Sequence, residues 1–295
     1  MYDVIIIGAG ISGLTSAIYL KRYGIKVLLL EKNVPGGVLN SIPVIENYPG
    51  LDKIDGATLS YNTYKKVKDL NCDYKKCEVL DIEILKDEKI IKTNKGEFKT
   101  KFVIIASGRT PKKLGLHNEE KLIGYGVSYC ATCDGPLYKN RDVLVVGGGN
   151  SALIESIYLS KICKSVTILV RKNNLRADNI YTKELSNNIK ILYNTEISKL
   201  VEEDNKLKEV ITNDNQKIKT DCVFVFIGNN PSNSFIKNLN ITNDEGYIVV
   251  NNNMETNIDG IYAIGDIIDK KLYQIITATS EGAIAAYNIK NKLLI

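Results

Sequence analysis

The chain has 295 residues, more than one ordinary core needs, so two domains are the expectation from length. Its 39 Lys and Arg stand against 34 Asp and Glu, and a net charge of +5 without a long basic run argues against a nucleic-acid partner. Hydrophobic content of 44% and charged content of 25% are those of a globular protein. No apolar run approaches the roughly 20 residues that cross a bilayer, so no membrane association is expected.

A first strand beginning at Tyr2, directly after Met1, with Val4 to Ile7 as its apolar run, leaves no length for a signal peptide, so a cytoplasmic location is expected. Gly8-Ala9-Gly10-Ile11-Ser12-Gly13 then turns the chain, Leu14 to Arg22 carries apolar residues at helical spacing, and Lys26 to Leu30 forms a second strand before Glu31 and Lys32. This is a βαβ unit with G-x-G-x-x-G in register. The first glycine permits a tight turn, the second lets backbone approach a pyrophosphate, and the third lets helix and strand pack. An acid about 20 residues on can accept from a ribose hydroxyl.

Phe102 to Ala106 is a further apolar strand, and Ser107 to Lys113, with Gly108, Pro111 and charges, reads as a linker. The glycine pattern then recurs. Asp142 to Val146 is a strand, Gly147-Gly148-Gly149-Asn150-Ser151-Ala152 its turn, Leu153 to Ser160 a helix and Ser165 to Val170 the next strand. Ala152 replaces the third glycine, and a methyl still allows close packing. No acid ends this unit. Arg171, Lys172 and Arg176 stand there instead, which suits the 2′-phosphate of NADP, the alternative being a solvated basic turn. Near the C-terminus, Ile261 to Asp266 is a third strand and turn, followed by a helix from about Ile276 to Leu293. A lone strand and helix make a poor independent fold, so the expected class is α/β, with two Rossmann-like dinucleotide-binding domains, the second inserted into the first. The boundaries are expected at 1–112 and 242–295 for the split domain and 113–241 for the insert.

Six cysteines in a cytosolic chain do not read as a disulfide framework, and a single histidine, His117, leaves little for His-based catalysis or metal binding. Only Cys130 and Cys133 are spaced C-x-x-C. Half of a zinc site is the alternative for that pair, but four ligands are needed and no second C-x-x-C exists. Cys163 and Cys222 lie in or beside apolar segments and read as buried small hydrophobes; Cys72 and Cys77 match no motif. Thiol–disulfide exchange needs a proton donor and acceptor, and Asp134, next to Cys133, is the nearest carboxyl.

The stretch Gly126-Val127-Ser128-Tyr129-Cys130-Ala131-Thr132-Cys133-Asp134-Gly135, followed by a strand and Gly147-Gly148-Gly149-Asn150-Ser151-Ala152, resembles the low-molecular-weight thioredoxin reductases of bacteria. Gly36-Gly37, Glu46-Asn47-Tyr48-Pro49-Gly50, Ala106-Ser107-Gly108 and Gly265-Asp266 with Gln274 match the same family, and the likeness runs nearly end to end. The resemblance implies an FAD domain built from both ends of the chain and an inserted pyridine-nucleotide domain that carries the redox cysteines. It puts Gly8, Gly10, Ile11, Ser12, Gly13, Glu31 and Lys32 at the FAD pyrophosphate and adenosine. Gly37, Val38, Asn47, Gly108, Gly265, Asp266 and Gln274 fall around the ribityl chain and flavin, and Gly147, Gly149, Asn150, Ser151, Ala152, Arg171, Lys172 and Arg176 at NADPH. Cys130 and Cys133 would form the disulfide that passes electrons to a thioredoxin-like protein, with Cys133 nearer the flavin and no metal. A homodimer and a rotation of the insert about linkers near 109–113 and 240–243 are implied too.

The sequence departs from that family in three places. Val170-Arg171-Lys172 stands where His-Arg-Arg is usual, Leu153-Ile154-Glu155 where a pair of glutamates is common, and Val38 and Tyr273 where Gln and Arg flank the flavin motifs. A relative of the family takes electrons from ferredoxin instead of NADPH, so ferredoxin remains the alternative donor. A flavin-bound redox sensor without turnover is the alternative of another class.

Overall fold

The computed structural model describes residues 1–42, 45–86 and 88–294. The chain forms two compact units, one of Met1–Thr110 with Asn230–Ile295 and one of Pro111–Asn229. In the first, β1 (Tyr2–Ile7), α1 (Ile11–Arg22) and β2 (Val27–Glu31) follow the expected pattern, and α2 (Gly56–Asp69), β3 (Asp73–Lys76), β4 (Val79–Ile84), β5 (Lys89–Thr93) and β6 (Gly96–Ile105) come next. β7 (Arg109–Pro111) leads out of the unit. The second unit holds α3 (Glu119–Leu122), β8 (Val127–Ser128), α4 (Ala131–Asp134), β9 (Asp142–Val146), α5 (Asn150–Ser160), β10 (Ser165–Val170), α6 (Asn179–Thr182) and β11 (Ile189–Tyr193), then β12 (Ile197–Glu203), β13 (Lys206–Thr212), β14 (Lys217–Lys219) and β15 (Cys222–Val225). β16 (Asn229–Pro231) leads back and pairs with β7, and β17 (Ile261–Ala263) and α7 (Ile275–Leu293) complete the first unit.

The main sheet of the first unit runs β3-β2-β1-β6-β5-β4. β6 is long enough to serve two neighbours on one side: its Gly96–Thr100 half pairs antiparallel with β5, and Val103–Ile105 pairs parallel with β17. Strands covered on both faces read as continuous apolar runs, and β1 shows it: Val4 and Ile6 pack with Leu14, Ala17, Ala285 and Ile289 on the helical face, while Ile5 and Ile7 pack with Val103, Ile105 and Ile261 on the other. The second unit has a parallel sheet, β11-β10-β9-β15-β8, and a separate antiparallel sheet, β12-β13-β14.

The return crossing lies between 229 and 230, ahead of the expected step between 241 and 242. The reason is apolar: Phe235, Ile236, Leu239 and Ile241 pack into the core of the first unit, with Ile5, Ile82 and Ile248. Asn229-Asn230-Pro231-Ser232-Asn233 is the polar, Pro-bearing stretch that marks the boundary.

α7 lies against α1 at very close range. A Cβ on Gly282 would come 2.5 Å from the Ser12 carbonyl oxygen and 3.2 Å from the Ser16 nitrogen. Gly282→Ala should therefore force the two helices apart and lower stability by about 1–3 kcal/mol, read as a reduced urea midpoint.

Candidate active site

At the carboxyl end of β1, the turn from Gly8 to Gly13 is shaped by backbone contact. A Cβ on Gly8 would sit 2.3 Å from the Ala106 oxygen, and one on Gly13 2.0 Å from the Gly8 oxygen, so neither position has room for a side chain. Gly10 differs, since a Cβ there would meet nothing within 4 Å. It caps α1 with no side-chain hydrogen bond, which leaves the helix-opening N–H groups of Ile11, Ser12 and Gly13 to an outside acceptor such as a phosphate. Glu31 ends β2 with Oε2 accepting from the Ala9 N–H at 2.8 Å and Oε1 from the Asn33 N–H at 2.8 Å; each oxygen keeps a lone pair for a further donor. Gly8, Glu31 and Lys32 line one small cavity of about 80 Å³ together with Ser107, of the Ala106-Ser107-Gly108 motif, and with Cys77, Ser234 and Phe235, which no sequence motif singled out.

A second group gathers at the ends of β6 and β17 in the same unit. The Asn47 side-chain amide donates to Gln274 Oε1 at 3.0 Å, joining residues 227 apart in sequence. Gly265 takes a positive φ of 78°. Its N–H donates to Glu281 Oε2 at 2.8 Å, and Lys270 pairs with the same carboxylate at 2.9 Å. Burial pushes the Glu281 carboxyl up against the opposing pull of Lys270. Asp266 is held by Arg109, Nη2 to Oδ2 at 2.8 Å, and the Arg109 guanidinium lies 4.1 Å from the centre of the Tyr273 ring. Sequence reasoning treated Arg109 as linker; the signal that could have found it is the lone arginine beside Gly108 in a chain whose Tyr273 lacks the usual arginine. Gly37 and Val38 open a short helical turn and are exposed, and a Cβ on Gly37 would come within 3.5 Å of the Gly10 Cα. The Gly108 carbonyl accepts from the Ser232 N–H at 3.0 Å.

In the second unit, Cys130 caps α4 and is disulfide-bonded to Cys133, with Cα atoms 5.3 Å apart. Cys133 is exposed and Cys130 half-buried. The buried Ser128 accepts from the Cys130 N–H at 3.1 Å and its hydroxyl donates to Asp134 Oδ2 at 2.7 Å, which ties the carboxyl to the pair of cysteines. Tyr129 donates to Glu119, whose carboxylate also accepts the N–H groups of Leu114 and Gly115 at 2.7 Å each. The remaining cysteines are free thiols in apolar surroundings. Burial pushes Cys72 and Cys163 up to about 11 and raises Cys77 and Cys222 as well, so none is a ready thiolate near neutral pH. His117 is exposed in a turn.

The second glycine turn borders a cavity of about 360 Å³ lined by Gly147, Gly148, Arg171, Lys172, Arg176 and Lys112, among others. The Arg176 N–H donates to the Gly148 carbonyl at 2.7 Å, folding the basic loop over the turn. α5 begins beyond Gly149 with no side-chain cap. Asn150 and Ser151 are exposed and Ala152 is buried, and Asn150 exchanges hydrogen bonds with Asp178 at 2.7 and 2.8 Å. Lys112 is the cation that sequence reasoning missed in this cavity.

The model of the pyridine nucleotide-disulphide oxidoreductases matches residues 2–282. A thioredoxin reductase of Bacillus subtilis is 41% identical over 99% of this chain and 94% of its own length. The chain belongs to this family, among its thioredoxin reductases. It is a flavoprotein disulfide oxidoreductase, and the bonded Cys130–Cys133 pair fits the redox-active dithiol of such an enzyme. A crystal structure of a Lactococcus lactis thioredoxin reductase has a TM-score of 0.95 at 37% identity, covering 100% of this chain and 99% of that one. A ferredoxin-flavin thioredoxin reductase from Clostridium acetobutylicum is similar at 33% identity and a TM-score of 0.56, over 99% and 98% of the two chains. Among the described residues no helix is long and apolar enough to cross a membrane.

The residues fit a dinucleotide in each unit. In the first, the open face of Gly10, the uncapped start of α1 and the unpartnered Arg109 Nε suit a phosphate-bearing group; in the second, the uncapped start of α5 and the cations of the cavity do. Glu155, the one acid left where the resemblance has two, is 9% exposed on α5, with Oε2 unpartnered among the described residues. Burial pushes its carboxyl up to about 8. An unfolded chain releases that proton at about 4.3, so between these values the folded state binds more protons and loses stability as pH rises. Glu155→Gln removes the penalty. It should match the wild type near about pH 5 and exceed it by about 1–3 kcal/mol at about pH 8, as urea midpoints at the two pH values would show.

Proposed function

We propose that the chain is an FAD-dependent thioredoxin-disulfide reductase that takes electrons from NADPH and passes them through the Cys130–Cys133 dithiol to a thioredoxin-like protein. The observation that carries the reading is the disulfide at the start of α4 with Asp134 tied to it through Ser128, in a chain whose relatives of similar length are thioredoxin reductases. A bound flavin would supply two-electron transfer between the nicotinamide and the Cys130–Cys133 disulfide. The reduced pair then attacks the partner disulfide as a thiolate, a mixed disulfide forms, and the second cysteine displaces the partner's dithiol. Asp134 takes the proton from the attacking thiol and returns one to the leaving thiolate. Gly8, Gly10, Ile11, Ser12, Gly13, Glu31 and Lys32 hold the FAD pyrophosphate and adenosine, with Gly37, Val38, Asn47, Gly108, Gly265, Asp266 and Gln274 around the flavin and ribityl chain. Gly147, Gly149, Asn150, Ser151 and Ala152 receive the nucleotide phosphates. Arg171, Lys172 and Arg176 favour the 2′-phosphate of NADPH over the free hydroxyl of NADH. A cytoplasmic homodimer is part of the same proposal, and four free thiols, three of them buried, suit a reducing compartment.

Ferredoxin as donor is the second reading. It is favoured by Val170, buried at 3% exposure where the resemblance has an imidazole, and by the similarity to the Clostridium enzyme.

Anaerobic mixing of the oxidised holoenzyme with NADPH is expected to bleach the flavin absorbance. Bleaching by reduced ferredoxin alone, with none by saturating NADPH, would assign the donor to ferredoxin. Arg176→Ala should weaken NADPH binding about tenfold, about 1.4 kcal/mol, and leave NADH within about twofold, measured by equilibrium titration. Asp134→Asn should lower turnover with oxidised thioredoxin by about 10²-fold or more while flavin reduction by NADPH persists; undiminished turnover would remove Asp134 from the mechanism.

A further inference from the structure

Arg109 opens β7 directly after Gly108, and Asp266 follows β17, the strand that pairs with the end of β6. Both therefore lie at the carboxyl ends of adjacent parallel strands, the edge where open α/β sheets bind ligands. Their ion pair, 2.8 Å long, is mostly buried, with 20% and 24% of the two side chains exposed. Tyr273 offers its ring as a flat stacking surface at 4.1 Å, a support that another arginine at that position would not give. One buried donor is unsatisfied: Arg109 Nε has no partner among the described residues. A guanidinium stays charged at any ordinary pH, and a buried charged donor without an acceptor is costly. Asp266, Lys270 and Glu281 satisfy one another around it and leave that N–H unused.

We propose that Arg109 is a positioning residue of the flavin site, fixing Asp266 and presenting its Nε–H to the cofactor, so that it supplies the cation which Tyr273 does not. The proposal rests on the assignment of this crevice to FAD. It makes the stack on Tyr273 and the departure from the family pattern at position 273 parts of one arrangement. A cation beside the flavin favours its reduced, more negatively charged form.

The test uses holoenzyme stripped of FAD and titrated back. Arg109→Met should raise the FAD dissociation constant about tenfold or more, shift the flavin midpoint potential to more negative values, and leave the melting temperature of the apoprotein within about 2 °C. Arg109→Lys should recover the potential and only part of the affinity. Tyr273→Leu, which keeps every charge and removes the stack, should weaken FAD by a smaller factor, and it serves if Arg109→Met does not fold. Unchanged affinity and potential in Arg109→Met would overturn the proposal. So would a loss of affinity that tracks a lower apoprotein melting temperature with the potential unmoved, which would make Arg109 a brace for the crossing strand. If these variants match a wild type that does bind FAD, only the role of Arg109 fails; a wild-type apoprotein that takes up no FAD overturns both this inference and the functional reading.

Discussion

The pairing of Ile261–Ala263 with Val103–Ile105 is the contact on which the rest of the first unit depends. It brings a late strand beside an early one, so that Gly265 and Asp266 emerge next to Ala106, Gly108 and Arg109. The Gly265 N–H, the Asp266 carboxylate and the Arg109 guanidinium are neighbours only because of that register. α7 follows, and its glycine at 282 allows the helix to close on α1 over the same sheet. Neither end of the chain alone supplies the residues proposed for FAD: β1 and β2 bring the glycine turn and Glu31, and the C-terminal segment brings Asp266 and Gln274.

The second unit solves a different problem. A disulfide that is to be reduced and remade needs a proton source held near the sulfurs without being buried past use. Asp134 is the carboxyl proposed for that role, and Ser128 ties it to the pair by accepting from the Cys130 N–H and donating to Asp134. Cys133 is exposed, while burial raises the other four thiols out of the range of a ready thiolate.

Both βαβ units were legible in the sequence, because a glycine turn followed by apolar residues at helical spacing leaves little choice of local structure. The strands Asp142–Val146 and Ser165–Val170 have the expected bounds, and α7 starts one residue before the expected Ile276. The C-x-x-C motif with its Asp was legible for the same local reason. What escaped was non-local. Arg109 and Asp266 are separated by 157 residues, and nothing near either names the other. Cys77, in a polar stretch, lines a cavity with Glu31 because β3 lies beside β2, a register that no motif encodes. The return crossing was misplaced because Ile236 and Ile241 look like continuing chain until the core they enter is known.

The division of the chain also imposes an order on its making. The inserted unit is continuous from Pro111 to Asn229 and can complete its sheets once that stretch has left the ribosome, whereas the first sheet lacks β17 until residue 263 has been added. During synthesis the paired cysteines thus acquire their helix and their carboxyl before the crevice assigned to the flavin can exist. A nascent chain halted between the two stages would carry a folded dithiol with no electron supply of its own, and its disulfide would be set by the surrounding thiol pool alone.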